Sequence, residues 1–268
     1  GGIAFATGGV TASAISGSDG QVVVTVNSGT SSTPVRVQAS TCTTLTDPCT
    51  GSTLTTQSDK LTITTGIPDQ QNFSLSATTL NIEGWNQDGI TTVVTARLAD
   101  HFNNPVPDGT SVVFTTEGGS ITSTCDTVGG GCSATLTSQA LRPTNGRVTV
   151  LAYAVGEEGF SDANGNGLAD QPTEMLDANG LSTDEGEACV DWNENGTRQA
   201  NEPYIDFNSN SAYDGPDGKY NGVLCDPNVA PGSSAVACNA LKATHVRDSL
   251  AIVFAGSDSV TTATPAAF

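Results

Sequence analysis

Four stretches between Asp162 and Asp217 repeat one spacing of oxygen-bearing side chains. In each stretch, Asp and Asn alternate with other residues on a segment rich in Gly and Ser. Carboxylate and amide oxygens held on a tight turn are the hard ligands that Ca²⁺ requires. The spacing therefore predicts that Ca²⁺ ions, at least two of them, order this part of the chain. The stretches begin 15, 14 and 15 positions apart, at Asp162, Asp177, Asp191 and Asp206.

The stretch that begins at Asp191 matches the full pattern of a twelve-residue calcium loop, Asp-x-Asn-x-Asn-Gly followed by five residues and Glu. Gly196 permits the sharp turn at the sixth position, and the final Glu is expected to bind through both carboxylate oxygens. The predicted ligands are Asp191, Asn193, Asn195, the carbonyl oxygen of Thr197, and Glu202.

The other three stretches match the pattern less completely. The stretch at Asp162 ends in Glu174, one position later than the pattern requires. The stretch at Asp206 has Ser211 where Gly is expected, and the stretch at Asp177 has only two ligands in phase. Asp184, Glu185 and Glu187 could contribute to the Asp177 site. The predicted ligands are Asp162, Asn164, Asn166, Asp170 and Glu174 in the first, Asp177 and Asn179 in the second, and Asp206, Asn208, Asn210, Asp214 and Asp217 in the last.

Paired helices do not fit between these loops. The separators are short, and Pro172 and Pro203 interrupt them. Loops that follow one another without helices resemble the tandem calcium repeats of thrombospondins and dockerins more than EF-hands. An acidic disordered linker is the alternative, but solvation alone does not require Asp and Asn at alternate positions.

The negative charge of the chain is concentrated in the same region. Of 28 Asp and Glu residues, 16 lie between Glu157 and Asp226 with only two basic residues, so this segment carries −14 of a net −19. Uncompensated negative charges repel one another, so the folding of this segment requires counter-ions. The same charge argues against binding to nucleic acids or to anionic membrane surfaces.

No other pattern in the sequence indicates catalysis. His101 and His245 are the only histidines, and neither accompanies a Ser or Cys nucleophile motif. Carboxylates that hold a metal ion cannot also hold the proton that a general acid needs. We therefore predict that the protein is not an enzyme; an unrecognised catalytic site is the remaining alternative.

The cysteines indicate an oxidising compartment. Seven cysteines in an acidic chain without a metal-binding Cys-x-x-Cys motif favour an extracellular protein. The chain begins Gly-Gly-Ile-Ala-Phe, and we interpret it as a processed or excised piece of a secreted protein. Proximity, which does not determine connectivity, suggests the pairs Cys42 with Cys49, Cys125 with Cys132 and Cys225 with Cys238, with Cys189 left over.

Short alternating runs rich in Val and Thr predict antiparallel strands of β-sandwiches. The last two runs flank the acidic segment, so we expect it to be an insertion between the final two strands. We predict half of a sandwich in 1–67, a second sandwich in 68–256 with a calcium-binding insertion at 157–244, and a tail or donor strand in 257–268. The runs are Gln21–Val26, Val35–Ala39, Leu61–Thr65, Thr91–Leu98, Ser111–Thr115, Arg147–Val155 and His245–Phe254.

One segment resembles a known family. Thr92–Thr116 combines an alternating strand, the turn Asn104-Pro-Val-Pro-Asp-Gly109 and a Val-x-Phe strand. It resembles the bacterial Ig-like domain of invasin- and intimin-type surface proteins, and Ser18–Val26 resembles the later half of the same domain, which implies that residues 1–67 carry only the C-terminal half of a sandwich. The resemblance implies an all-β fold of tandem Ig-like β-sandwiches on a bacterial cell surface, without catalysis.

Together these features predict a calcium-stabilised structural or adhesive segment of a bacterial extracellular surface protein or fibre. The expected partners are neighbouring Ig-like domains or copies of the same chain, joined by strand donation, and a host or cell-surface receptor or glycan. The alternative is a calcium-dependent carbohydrate- or protein-binding accessory module of a secreted protein.

Overall fold

The computed structural model describes residues 4–6, 8–28, 33–42, 51, 53–225 and 237–256. The chain divides into two compact units, Gly1–Thr65 and Gly66–Phe268. Among the described residues, the only helical segments are two short 3-10 turns, Gln70–Asn72 and Pro172–Met175. Neither turn approaches the length and apolar character of a membrane-spanning helix. The predicted all-β fold class is confirmed.

The first unit consists of three two-stranded antiparallel sheets, β1–β2, β3–β6 and β4–β5. None of its described residues is buried. Of the predicted strand Gln21–Val26, only Val26 forms a ladder, opposite Phe5. The remaining five residues have the composition of a strand but belong to no ladder in the described part of the unit; of these, Thr25 accepts a backbone hydrogen bond from Ala6 and Gln21 accepts one from Gly17. The strands are β1 (Ala4–Phe5), β2 (Val26–Asn27), β3 (Thr33–Val35), β4 (Gln38–Cys42), β5 (Thr53–Gln57) and β6 (Leu61–Ile63).

The second unit contains a sandwich of two sheets. One sheet has the strand order β12-β10-β14-β17-β8, and the other has the order β11-β13-β9-β7. Two further short strands, β15 and β16, pair in parallel outside the sandwich. The strands are β7 (Phe73–Ala77), β8 (Asn81–Ile82), β9 (Thr91–Leu98), β10 (Ser111–Thr116), β11 (Ser120–Ile121), β12 (Thr124–Asp126), β13 (Gly131–Thr137), β14 (Arg147–Gly156), β15 (Lys219–Tyr220), β16 (Ala237–Cys238) and β17 (Thr244–Phe254).

Alternate residues of the long strands form the core between the two sheets. In β9, for example, Val94, Ala96 and Leu98 are buried while their neighbours face outward. Because successive side chains of a strand point to opposite faces, the alternating pattern seen in the sequence becomes a buried face and a solvated face. The disulfide Cys125–Cys132 joins β12 of one sheet to β13 of the other.

The acidic segment leaves and re-enters the sandwich between two neighbouring strands. β14 and β17 form one continuous antiparallel ladder, from Arg147 opposite Val253 to Gly156 opposite Thr244. Residues 157–243 connect these two strands as a very long hairpin loop. We call these residues the insertion.

The insertion folds back onto the outer face of β14. Thr149 and Leu151 point away from the sandwich core, yet both are buried. Leu151 packs with Ala188 and Val190 of the insertion. This second buried face explains why β14 has a nearly continuous apolar sequence, which is typical of strands covered on both sides.

The insertion has a small core and a disulfide of its own. Phe160, Ala169, Met175 and Tyr220 pack together with Cys225, which is bonded to Cys238. Both disulfides found among the described residues were predicted from proximity. Cys49 of the predicted Cys42–Cys49 pair lies outside the described residues, and so does the whole predicted tail, residues 257–268.

Candidate calcium loops and the buried carboxylates beneath them

Three of the four predicted loops adopt the same nine-residue conformation. We name them loop 1 (Asp162–Asp170), loop 2 (Asp191–Gln199) and loop 3 (Asp206–Asp214), and we number positions 1 to 9 in each. In every loop, the Oδ2 atom of the Asp at position 1 accepts a hydrogen bond from the backbone N–H of position 6, at 2.6 to 2.8 Å. Its Oδ1 atom accepts from the N–H of position 5 at 3.1 to 3.3 Å. The first carboxylate therefore holds the turn closed.

The Asn residues at positions 3 and 5 brace the same turn. The Oδ1 atom at position 3 accepts from the N–H of position 5, and the Oδ1 atom at position 5 accepts from the N–H of position 7. In loops 1 and 3, both Asn amides donate to the carboxylate at position 9, Asp170 or Asp214. In loop 2, position 9 is Gln199, which accepts from Asn193. In loops 1 and 3 the side chains at positions 3, 5 and 9 thus lie against one another, whereas in loop 2 this contact joins positions 3 and 9.

Positions 4 and 6 require left-handed backbone. Loop 1 has Gly at both positions, with φ of +74° and +77°. Loop 3 places Ser209 and Ser211 there, at φ of +60° and +64°. An L-residue in this region is disfavoured by contact between its Cβ atom and the carbonyl oxygen. Loop 3 therefore keeps the common conformation against a local steric cost.

A buried glutamate closes each loop from below. One carboxylate oxygen accepts from the N–H of position 2, and the other accepts from the N–H of position 9. These distances lie between 2.7 and 3.1 Å. Because positions 2 and 9 are the two ends of the loop, each glutamate fixes the loop's width. The closing glutamates are Glu174 for loop 1, Glu202 for loop 2 and Glu187 for loop 3.

The hydrogen bonds of the closing glutamates assign roles to acidic residues that the Asp and Asn spacing of the sequence did not reveal. Glu187 precedes loop 3 by 19 residues in the chain, so no consecutive motif includes it. The spacing predicted Asp217 as the last ligand of the Asp206 stretch. In the structure its carboxylate accepts hydrogen bonds from Lys219 and Asn239. Glu174 and Glu202 have both carboxylate oxygens directed at backbone N–H groups. The repeated position of the glutamate relative to positions 2 and 9 is visible only in the tertiary structure.

The Asp177 stretch is a different structure. The Oδ1 atom of Asp177 accepts from the N–H groups of Asn179 and Leu181, both at 2.8 Å. These hydrogen bonds, that to Leu181 above all, lower the pKa of the Asp177 carboxyl. Leu176 and Ser182 pair across the turn. The stretch is a tight reverse turn, and no buried glutamate closes it.

Within the described residues, the carboxylates at positions 1 and 9 of the three loops and their closing glutamates have no basic partner. The described residues contain five ion pairs, and none includes an acid at position 1 or 9 or a closing glutamate. The closing glutamates are 0 to 6% exposed. Backbone N–H groups satisfy hydrogen-bonding capacity, but they do not cancel the charge. The excess negative charge read from the sequence is therefore uncompensated locally in the fold.

The donors of each loop fit Ca²⁺ better than a softer metal. Within the described residues, no three His, Cys, Asp or Glu side chains are grouped as a metal site. A metal in these loops therefore has to use the Asn oxygens as well. Each Asn oxygen has two lone pairs, so the hydrogen bond that holds the turn leaves one free. A set of carboxylate, amide and carbonyl oxygens suits Ca²⁺.

Loops 2 and 3 are interlocked, whereas loop 1 is attached elsewhere. The N–H of Val190 donates to Pro203, and the N–H of Ile205 donates to Ala188, at 2.9 and 2.7 Å. These bonds join the entry to loop 2 with the entry to loop 3. Loop 1 is instead attached at Ala169, whose N–H donates to the carbonyl oxygen of Leu224 at 2.8 Å.

Two further buried acids anchor the insertion where it leaves β14. Glu157 and Glu158 are both 0% exposed. Glu157 accepts from the hydroxyl of Tyr220 and from the N–H of Val223, while Glu158 accepts from Asn221 and from the N–H of Glu185. Burial raises the pKa of each carboxyl to about 7, despite these hydrogen bonds. The junction between sandwich and insertion is therefore sensitive to protonation near neutral pH.

The two histidines have structural surroundings. The Nδ1 atom of His101 lies 3.0 Å from the buried carboxylate of Asp69, and its ring stacks on Phe160 at 3.9 Å. His245 packs against the rings of Tyr153 and Phe207, and burial lowers its pKa. Cys189 forms no disulfide among the described residues, and burial raises the pKa of its thiol.

Comparison with known proteins adds one loose similarity. No protein-family model matches the chain, and no curated protein matches it. Among solved structures, the D0-D1 domain of intimin is similar, with a TM-score of 0.25 and 20% sequence identity over 56% of this chain and 71% of that chain. At this level of similarity, the assignment of the β-sandwich rests on the ladders and the core of the chain itself.

Proposed function

We propose that this chain is a calcium-stabilised structural segment of an extracellular bacterial surface protein, with no catalytic role. The observation that carries the proposal is the threefold repetition of one oxygen-lined loop, each closed by a buried glutamate that forms no ion pair among the described residues. Two disulfides support an oxidising compartment. The resemblance of Thr92–Thr116 to bacterial Ig-like domains supports a surface location.

Calcium would act here by ordering the insertion. Ca²⁺ in each loop neutralises carboxylates that otherwise repel one another, and it fixes the turns that position the closing glutamates. Glu187 directly precedes Ala188, which packs with Val190 against Leu151 of β14. Metal binding is thereby coupled to the packing of the insertion against the sandwich. The result is a stiff, three-layered segment.

Calorimetric titration of chelator-stripped protein with Ca²⁺, combined with hydrogen exchange, tests this role. We expect binding heat and slower exchange of the amides at position 6 of the loops, with little change in the β9–β13 ladder. Asp177→Ala is the control and should leave the binding heat unchanged. It removes one carboxylate, as a substitution at position 1 of a loop would, but from a turn that lacks a closing glutamate. The absence of heat, together with identical exchange in Ca²⁺ and in EGTA, would refute the proposal.

The adhesive or fibre-forming part of the role concerns the first unit. Its described residues include no buried side chain, and apolar residues such as Val10, Ile15 and Val23 are 83 to 97% exposed. Unpaired strand edges and exposed apolar residues favour completion by strands from a neighbouring domain or from another copy of the chain. Light scattering across a concentration series tests association between copies. A monomer with a protease-resistant first unit would count against strand donation.

A further inference from the structure

The two glutamates that close loops 2 and 3 are exchanged between these loops. Glu187 closes loop 3, but it lies four residues before Asp191, where loop 2 begins. Glu202 closes loop 2, but it lies four residues before Asp206, where loop 3 begins. Each loop is therefore entered through a segment whose glutamate closes the other loop. We call residues 187–190 and 202–205 the entry segments of loops 2 and 3.

The two entry segments are paired with each other. Two backbone hydrogen bonds, at 2.9 and 2.7 Å, join them in antiparallel fashion, with Cys189 opposite Tyr204 between those bonds. Side chains from both segments also pack in the apolar cluster around Leu151 of β14. The pair is thus held as one piece on the sandwich, so that a shift of one segment moves the other.

A cation–π contact also joins the two loops directly. Arg198, at position 8 of loop 2, lies over the ring of Tyr213, at position 8 of loop 3, with 4.5 Å between the guanidinium carbon and the ring centroid. The same guanidinium lies 4.9 Å from the ring centroid of Tyr204 in the entry segment of loop 3. The ring faces of tyrosine attract cations. A rearrangement of one loop therefore reaches the other loop through side chains in contact.

Loop 1 lacks both kinds of connection. Its closing residue, Glu174, follows the loop closely in the chain and accepts from the N–H groups of Ala163, Asp170 and Gln171. Within the described part of the chain, no hydrogen bond joins loop 1 or Glu174 to loops 2 and 3 or to their entry segments. The insertion therefore contains one separate loop and one connected pair of loops.

We propose that loops 2 and 3 bind Ca²⁺ as a cooperative pair, whereas loop 1 binds it independently. The inference rests on the proposed calcium role of the loops. Calcium in loop 2 fixes Asp191 and with it the entry segment that carries Glu187, which holds the two ends of loop 3 at their spacing. Calcium in loop 3 acts on Glu202 and loop 2 in the same way. The coupling is reciprocal, because linkage requires each ion to raise the affinity for the other by the same factor.

The charge of the pair allows both ions to bind together. Residues 187–214 contain six acids and one Arg, so two divalent ions do not reverse the sign of their charge. Repulsion between the ions is therefore offset by carboxylates that both of them approach. As a consequence, the part of the insertion that covers β14 should become ordered over a narrower range of calcium concentration than a single site would give.

A calcium titration of the chelator-stripped, isotope-labelled chain, followed by nuclear magnetic resonance, provides the test. The backbone N–H signals of Gly167, Gly196 and Ser211 report on position 6 of loops 1, 2 and 3. We expect Gly196 and Ser211 to follow one common curve with a Hill coefficient of roughly 1.5 to 2, the upper value being the number of coupled sites. Gly167 should follow a separate, non-cooperative curve.

Three matched variants at position 1 measure the coupling. Asp191→Asn weakens calcium binding in loop 2. At calcium concentrations that leave this loop empty, the affinity of loop 3 should fall at least about fivefold, the lower end of usual coupling between sites. Asp206→Asn should lower the affinity of loop 2 by the same factor. Asp162→Asn is the control, because it removes the same charge from the same position of loop 1 and should leave loops 2 and 3 unchanged.

The outcomes separate this inference from the proposed function. If all three loops bind Ca²⁺ along non-cooperative curves and Asp191→Asn leaves the affinity of loop 3 unchanged, the coupling is overturned while the calcium-stabilised role stands. If Asp162→Asn weakens loops 2 and 3 as much as Asp191→Asn weakens loop 3, the loss is a general one and the inference is wrong. A lower affinity of one loop when the other is filled would also contradict it. A chain that binds no Ca²⁺ refutes the proposed function itself.

Discussion

The sandwich and the insertion are stabilised by opposite means within one unit. The sandwich buries alternate apolar residues, such as Val94 and Leu136, between two sheets with long ladders. The insertion has very short strands, and the acids Glu174, Glu187 and Glu202 lie near its centre. Apolar burial stabilises the sandwich in any buffer. The insertion depends on charges that solution conditions can alter, so the two regions are expected to respond differently to the same perturbation.

The largest expected effect comes from truncating the sandwich core. Leu136→Ala removes a fully buried side chain in β13. Loss of a buried leucine costs about 2–5 kcal/mol of unfolding free energy, because it leaves a cavity. Chemical denaturation should show the same loss in Ca²⁺ and in EGTA, with Leu80→Ala, at a 56% exposed site, as the near-neutral control. A loss that depends on calcium would contradict the separation of the two regions.

The next effect is a pH dependence located at the junction. The pKa values of Glu157 and Glu158 are raised to about 7, so the folded state binds more protons than the unfolded state between pH 4.5 and 7. Stability should therefore fall as pH rises from 5 to 8, by about 2 kcal/mol for each carboxyl. Denaturation in EDTA, followed by hydrogen exchange at Val223, measures this fall.

Glu157→Gln tests whether that dependence belongs to the junction. The variant cannot ionise, so we expect it to lose about half of the pH dependence. Glu83→Gln, which removes an exposed carboxyl just after β8, serves as the control. An unchanged slope in Glu157→Gln would place the titrating groups elsewhere.

A smaller effect should distinguish the closing glutamates from other acids of the same loops. Glu202→Gln leaves one of two buried N–H groups without an acceptor, which costs about 1–3 kcal/mol. We expect loop 2 to lose calcium affinity and exchange protection. Glu194→Gln is the matched control, because Glu194 lies in the same loop but forms a surface ion pair with Arg147, whose contribution to stability is small because solvent screens it. Equal effects of the two substitutions would refute the special role of Glu202.

The smallest expected effect is a gain in the stability of loop 3. Ser211→Gly should stabilise loop 3 by about 0.5–1 kcal/mol, because Gly occupies a φ of +64° without strain. Calcium titration should detect a modest rise in the affinity of loop 3. Ser123→Gly, at a position without positive φ, should give no gain, and a loss in both variants would argue against strain at Ser211.

The success of the strand predictions varied with the number of available partners. Thr91–Leu98 was predicted with its bounds correct, and the predicted Arg147–Val155 run is extended in the structure by one residue, Gly156. Both strands have neighbours on each side, so local pattern and tertiary pairing agree. Gln21–Val26 has an equally strong pattern but pairs at only one of its residues. Composition indicates where a strand can form, and pairing decides whether it does.

The residues alone predicted the class of fold and carried the repeated Asp and Asn spacing, and proximity in the chain suggested the two disulfides found among the described residues. These features depend on residues that are close in the chain or on periodicity along one strand. The three-dimensional fold was needed to establish that three stretches share one conformation while Asp177 forms a plain turn. It also assigned Glu187 to loop 3 and placed the insertion over Leu151 of β14. A hydrogen bond between residues far apart in the chain depends on how the backbone returns to itself, and no local spacing records that.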